Sequence, residues 1–279
     1  MTGALLQVED LTVTFAPRGL LRRGTPVPAV RGVSFTVEAG STLGIVGQSG
    51  SGKSTVARTI VGLEKPASGS IVLDGRALGP GKESVAALRR TVQMVFQDSL
   101  SSLNPRRTIG AILAEPLVVH RVVPRDGIRE RVARLLDDVG LPSSYARRRP
   151  MQLSGGQRQR VNIARALASE PKLIIADEPT SALDVSIRAQ VLELLKRLQA
   201  EHGLAYLFIS HDLHVVRYMS DTVAVMRQGE IVEVADREAI YRTPQHEYTR
   251  SLLAAAPTTD TALERARQRR LARPAGAVS

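Results

Sequence analysis

The chain contains no cysteine and no tryptophan, aromatic residues make up 3% of it, and only five of its 279 residues are lysine. Without cysteine there are no disulfides and no cysteine-ligated zinc or iron–sulfur centre. So few aromatics leave no evident stacking platform of the kind single-strand nucleic-acid binders use. No apolar run approaches the ~18 residues that cross a bilayer, and the N-terminus lacks a secretory leader pattern. These absences predict a chain that stays in the cytoplasm unless a partner holds it at a membrane. What is present is ordinary for a globular protein, with 43% hydrophobic and 23% charged residues, enough for one large core or two smaller ones. The net charge of +11 is an arginine charge, 33 arginines against five lysines. A basic balance suits nucleic acid, anionic lipid headgroups or a solvated surface. Membrane proximity ranks first among these, and no nucleic acid is expected.

Gly47-Gln48-Ser49-Gly50-Ser51-Gly52-Lys53-Ser54-Thr55 organises the rest. It follows the apolar run Leu43–Val46 and leads into a helical pattern over Val56–Leu63. Strand, glycine loop and helix in this order form the context of a phosphate-binding P-loop. Its glycines let backbone N–H groups turn inward, and the helix N-terminus adds a positive dipole end. Lys53 then reaches the β/γ-phosphates, and Ser54 ligates Mg²⁺.

Two further stretches stand out. Leu173–Glu178 reads as a buried strand ending in two carboxylates, where a nucleoside triphosphatase needs them. Asp177 is placed to hold Mg²⁺ and Glu178 to take a proton from the attacking water. Ser154-Gly155-Gly156-Gln157 precedes an amphipathic pattern over Val161–Ala168 and forms a second anion site at a helix N-terminus.

The remaining texture is α/β. Alternating runs at Val8–Phe15 and Val33–Glu38 read as antiparallel strands with one wet face, separated by an exposed loop over Arg18–Pro28. Strands follow at Ser70–Gly75 and Thr91–Gln97. From Asp98 to about Pro150 the pattern is helical, broken by Pro105, Pro116, Pro124 and Pro142, with Gly140 as a stop. A helix over Arg188–His202 closed by Gly203, a strand over Leu204–Ser210 and a hairpin turning at Gln228-Gly229 complete it. Phe15 either stacks on an adenine ring or fills the strand's core; position alone leaves both open.

Together these motifs resemble those of the ATP-binding subunits of ABC transporters, over about residues 5–256. GQSGSGKST is similar to Walker A, LSGGQRQR to the signature motif and LIIADE to Walker B. Gln97 matches the Q-loop glutamine, Ser181–Asp184 the D-loop and His211 the switch histidine. The resemblance implies a RecA-like P-loop NTPase core with an N-terminal antiparallel β subdomain and an inserted helical subdomain at about 98–165. Residues 257–279 are then a basic tail. It also implies ATP and Mg²⁺ as ligands, with Gln97 at the metal, and a head-to-tail pair of ATPase subunits. In that pair each ATP lies between one P-loop and the partner's Ser154–Gln157, with Asp184 alongside. Phe15 gains support as the adenine-stacking residue. Two permease subunits and an extracytoplasmic binding protein complete the implied assembly, at the cytoplasmic membrane face.

A closer resemblance is to the oligopeptide/dipeptide importer branch, through Ser101–Arg106, Ser181–Ile187 and His246–Thr249 with Leu252-Leu253 and Pro257. Glu247 stands where proline is usual, and the cysteine-bearing extension of some relatives is missing. The same branch also handles nickel chelates and glutathione, and residues of an ATPase subunit do not choose among cargoes. A soluble mechanical ATPase acting on nucleic acid or ribosomes would need a second cassette or a sustained heptad run, and neither occurs. A non-hydrolysing regulator would not need both Glu178 and His211.

Overall fold

The computed structural model describes residues 3–15, 27–79, 82–98 and 101–255. The chain opens with β1 (Ala4–Phe15), β2 (Val27–Glu38) and β3 (Thr42–Val46), then α1 (Lys53–Ile60), β4 (Ser68–Leu73) and β5 (Arg76–Ala77). Next come α2 (Lys82–Thr91), β6 (Val92–Val95), α3 (Ile109–Val119), α4 (Ile128–Asp138) and α5 (Gly155–Leu167). β7 (Leu173–Asp177), α6 (Val185–His202), β8 (Ala205–Ser210) and α7 (Leu213–Met219) follow. The described part closes with β9 (Thr222–Arg227), β10 (Glu230–Asp236), α8 (Arg237–Arg242) and α9 (Glu247–Ala254).

Two sheets result. One is antiparallel, in the order β2-β1-β4-β5; the other runs β10-β9-β3-β8-β7-β6. In the second, β3 pairs in parallel with both β8 and β9, and β7 with β6 and β8, leaving β10 as an antiparallel edge. The fully buried strands β3, β7 and β8 read as unbroken apolar runs because helices or the second sheet cover both of their faces. Alternation along them then divides the core. Ile174, Ala176, Tyr206 and Phe208 face the cluster built with α3 to α6, whereas Leu43, Ile45, Ile175, Leu207 and Ile209 face α1 and the antiparallel sheet. Tyr206, wholly buried, donates to Leu195 O at 3.0 Å, which satisfies its hydroxyl.

Several elements differ from the sequence expectation. The expected loop over Arg18–Pro28 gives way to strand at Val27, and Pro28 is tolerated because β2 is an edge strand; residues 16–26 lie outside the described part. Pro116 does not break the helical pattern. It sits inside α3, whose Leu113 and Leu117 are fully buried, so packing outweighs the missing backbone bond. α5 starts at Gly155, well before Val161, for a capping reason given below. Gly140 does stop α4, with φ 68° and its N–H on Asp137 O at 2.8 Å. The basic segment 257–279 lies outside the described residues, and among those described no helix is long and apolar enough to span a membrane.

Candidate functional site

The P-loop connects β3 to α1, and α1 begins at Lys53 directly after Gly52. Gly52 has φ 105°, and a Cβ there would lie 2.4 Å from Ala29 O, so only glycine fits. At Gly47 a Cβ would lie 2.1 Å from Met226 O. The loop is thus wedged between the ends of β2 and β9. Gly229, in the β9–β10 turn, donates to Ser51 O at 2.9 Å and accepts from Arg31 N at 2.8 Å, fastening the loop to both sheets.

Lys53 is buried, and its ammonium donates to Gly47 O at 2.7 Å and Gln48 O at 2.9 Å. Burial lowers its pKa, against the opposing pull of Glu178 and Asp177. Ser54 Oγ donates to Asp177 Oδ1 at 2.8 Å. Burial raises the Asp177 pKa, partly offset by that hydrogen bond.

Glu178 is the hub. Its carboxylate accepts from Gln97 Nε2 at 3.2 Å and meets His211 Nδ1 at 3.0 Å. A carboxylate only accepts, so Nδ1 carries the proton and Nε2 of a neutral ring is left as an acceptor. The Glu178 side chain is 16% exposed and that of His211 57%. Glu178 also adopts φ 48°, held there by its N–H on Ile209 O at 2.9 Å and by Ser181 Oγ on its carbonyl at 3.1 Å. A non-glycine residue in the left-handed region costs roughly 1–2 kcal/mol, and such strain clusters at functional sites. Six expected residues (Lys53, Ser54, Gln97, Asp177, Glu178 and His211) are therefore joined in one constellation.

Ser154 to Gln157 stands apart from it. Ser154 is the N-cap of α5, accepting from Gln157 N at 3.3 Å, while Gln157 Oε1 accepts from Ser154 N at 3.0 Å. This reciprocal capping box explains why α5 starts early: the spacing S-x-x-Q is its sequence signature. Gly156 packs on α6, where a Cβ would lie 2.4 Å from Ile187 Cγ2.

With this geometry in view, comparison with known proteins is decisive. A family model described as ABC transporter matches residues 30–181. The oligopeptide transport ATP-binding protein OppF of Lactococcus lactis subsp. lactis is 49% identical over 92% of this chain and 81% of its own. The chain belongs to the ABC transporter family. It is an ATPase cassette of that family. The glutathione import ATP-binding protein GsiA of Escherichia coli is 51% identical over 94% of this cassette but 42% of its own length. Among solved structures, cbiO1 from Clostridium perfringens, part of the ABC transporter complex cbiONQ, superposes with TM-score 0.74. It is 30% identical, with 86% of this chain and 91% of that one covered. The cassette MJ0796, solved as a dimer with ADP and Pi, gives 0.73 at 31% identity, covering 83% and 98%.

Other features of the cassette come from the structure. Phe15 is 41% exposed, which removes the core reading. It pairs with Val27, two residues from Ala29, whose carbonyl a Cβ on Gly52 would strike, so it sits at the P-loop end of its sheet. Asp184 caps α6, accepting from Ile187 N at 3.0 Å, and that bond first of all holds its carboxyl below the usual range. Sequence reasoning missed Arg188, whose guanidinium pairs with Asp212 at 3.0 Å and so ties the start of α6 to the residue after His211. It also missed Tyr145, whose hydroxyl accepts from Gln157 Nε2 at 3.3 Å while Arg148 stacks on its ring at 3.9 Å. Nothing in the local pattern marks either residue, because each partner is distant in sequence. Ser102, within the branch-like segment Ser101–Arg106, has a structural role as well. Its Oγ donates to Asn162 Oδ1 at 3.0 Å and its carbonyl accepts from half-buried Arg165, clamping the segment after Gln97 to α5.

Proposed function

We propose that this ATPase is the energising subunit of an importer for oligopeptides or dipeptides. The observation that carries the reading is the match to OppF over most of both chains. It is supported by the branch-like segment Ser101–Arg106 packed against α5. Glutathione, named for GsiA, is itself peptide-like and is the second reading; nickel chelates are a third from the same branch.

The residues support the following chemistry. The triphosphate lies along the P-loop residues Gly47–Thr55, with Lys53 turning from the loop carbonyls to the β/γ-phosphates and Phe15 against the adenine. Ser54 and Asp177 fit Mg²⁺, since two hard oxygen donors already meet at 2.8 Å; Gln97 lies next to them through Glu178. When bound, Mg²⁺ neutralises charge on the β- and γ-phosphates. Glu178 takes a proton from water as the water oxygen bonds to the γ-phosphorus and the bond to the β–γ bridging oxygen breaks. Gln97 and His211 hold the carboxylate for this, and one of the two contacts opens to admit the water.

The signature cap of one subunit completes the site of another. Ser154 to Gln157 contacts its own α6 and Tyr145 rather than its own P-loop cluster, and Asp184 and the half-exposed Val185 lie beside it at the surface. Two permease subunits and an external binding protein form the rest of the assembly, with this chain at the cytoplasmic face. A groove of about 480 Å³ lined by Leu63, Leu88, Phe96, Val119 and His120 lies next to the Gln97 segment and suits a cytoplasmic helix of the permease.

Uptake of a labelled tripeptide, labelled glutathione and a nickel chelate is measured in a strain lacking this subunit, then restored with wild-type or Lys53→Ala chain. Peptide uptake restored by the wild-type chain alone is the expected result. Restoration of another cargo, with peptide uptake unaffected by the deletion, rejects the peptide reading.

A further inference from the structure

Residues 101–165 contain 13 arginines and no lysine against five acidic residues. Several of these arginines are engaged: Arg107 pairs with Glu115, Arg131 with Asp138 and Glu170, and Arg134 with Glu130. Arg125, Arg129 and Arg147 are not. They come from the turn before α4, from its first turn, and from the single-turn helix Ser143–Arg147. Among the described residues none of the three has an acidic partner within 4.0 Å.

All three line one cleft of about 1020 Å³, with Ala114, Ile128, Val132 and Ala133 supplying apolar lining. Of the two carboxylates at the cleft, Glu130 is neutralised by Arg134, while Asp126 accepts from the neutral Gly127 N at 3.0 Å and keeps its charge. Three arginines against that one carboxylate leave an apolar lining with a net cationic rim.

Chemistry and size narrow the occupant. A small inorganic anion would engage the rim and leave the apolar lining wet. Two turns of an α-helix about 10 Å across occupy on the order of 1,000 Å³, comparable to the cleft. The chain's own residues 257–279 carry five arginines against two acidic residues, so they share the rim's sign and are repelled. We propose that this cleft docks an acidic amphipathic helix of a partner protein, its apolar stripe on the lining and its carboxylates on Arg125, Arg129 and Arg147. Helix-in-groove binding of this kind takes affinity from the apolar stripe and orientation from the charges.

The test uses the full chain without nucleotide and a fluorescent synthetic helix of about 14 residues, leucine on one face and glutamate on the other. Anisotropy titration gives its affinity. Arg125→Glu/Arg129→Glu/Arg147→Glu should weaken binding about tenfold or more. Arg76→Glu/Arg90→Glu/Arg106→Glu, reversing three arginines elsewhere, should change it less than about threefold. The cleft variant should hydrolyse ATP at the wild-type rate, which separates this site from the nucleotide site and shows that the variant is folded. Equal weakening in both variants would reduce the effect to bulk charge and overturn the proposal. So would equal binding of a lysine-faced peptide. Loss of binding to phosphatidylglycerol vesicles, with peptide binding intact, would overturn it in favour of a lipid surface.

Discussion

Two carboxylates adjacent in sequence are put to opposite uses by their surroundings. Asp177 points into the protein beside Ser54, and burial raises its pKa. Glu178 reaches Gln97 and His211 at the rim of the same crevice. Glu178→Gln keeps the shape and one accepting oxygen for His211, leaves the other contact only if the Gln97 amide turns to accept, and removes the basic oxygen. Steady-state phosphate release should fall on the order of 100- to 10,000-fold while ATP still binds; an unchanged rate would remove Glu178 as the base. Asp177→Asn should weaken Mg²⁺-dependent turnover and, in metal-free buffer, also act on stability. A raised folded-state pKa means the ionised carboxylate opposes folding at pH 7, so the amide should raise Tm there. The gain should shrink as pH falls through the raised pKa and vanish below the unfolded value, where both side chains are neutral. A pH-independent difference in melting curves would contradict this.

At the scale of elements, helix starts do much of the positioning. α1 begins at Lys53, α5 is capped by Ser154, α6 by Asp184 and α7 by Asp212. The α5 cap has an outside support, since Tyr145 holds the Gln157 amide. Tyr145→Phe removes one hydrogen bond and little packing, worth about 1 kcal/mol. It should therefore raise the KM for ATP severalfold in the assembled pair while Tm moves by no more than about 3 °C. An equal KM would show that the cap needs no such support. The sequence made β3, β7, β8 and the hairpin legible because both faces of those strands, or a tight glycine turn, write their signal locally. It made the P-loop legible because glycine is demanded where a Cβ would strike a carbonyl. It hid the true start of α5, although S-x-x-Q was present, because two glycines in a first turn look like a loop. Arg188–Asp212 and Tyr145–Gln157 were hidden for another reason: tertiary pairing leaves no periodic trace.

For the whole molecule, among the described residues no hydrogen bond or ion pair joins the P-loop cluster to the signature cap within one chain. The proposed pairing makes two chains the working unit. In the Glu178→Gln background, Mg-ATP should shift the chain from monomer to dimer in sedimentation velocity, alone or with its related ATPase subunit. Adding Ser154→Arg should abolish that shift, because a long cation takes the place of a capping hydroxyl at the shared face. ATP binding to the single chain should stay within about threefold, as the P-loop is untouched. A dimer surviving Ser154→Arg would place the contact elsewhere.

The clasp between Gly229 and Ser51 carries a consequence for biosynthesis. Ser51 in the glycine loop leaves the ribosome 178 residues ahead of Gly229, the turn residue that braces it. Its flanking strands β8 and β9 also emerge late. A nascent chain stalled short of Gly229 should display every letter of the phosphate motif and still fail to retain nucleotide.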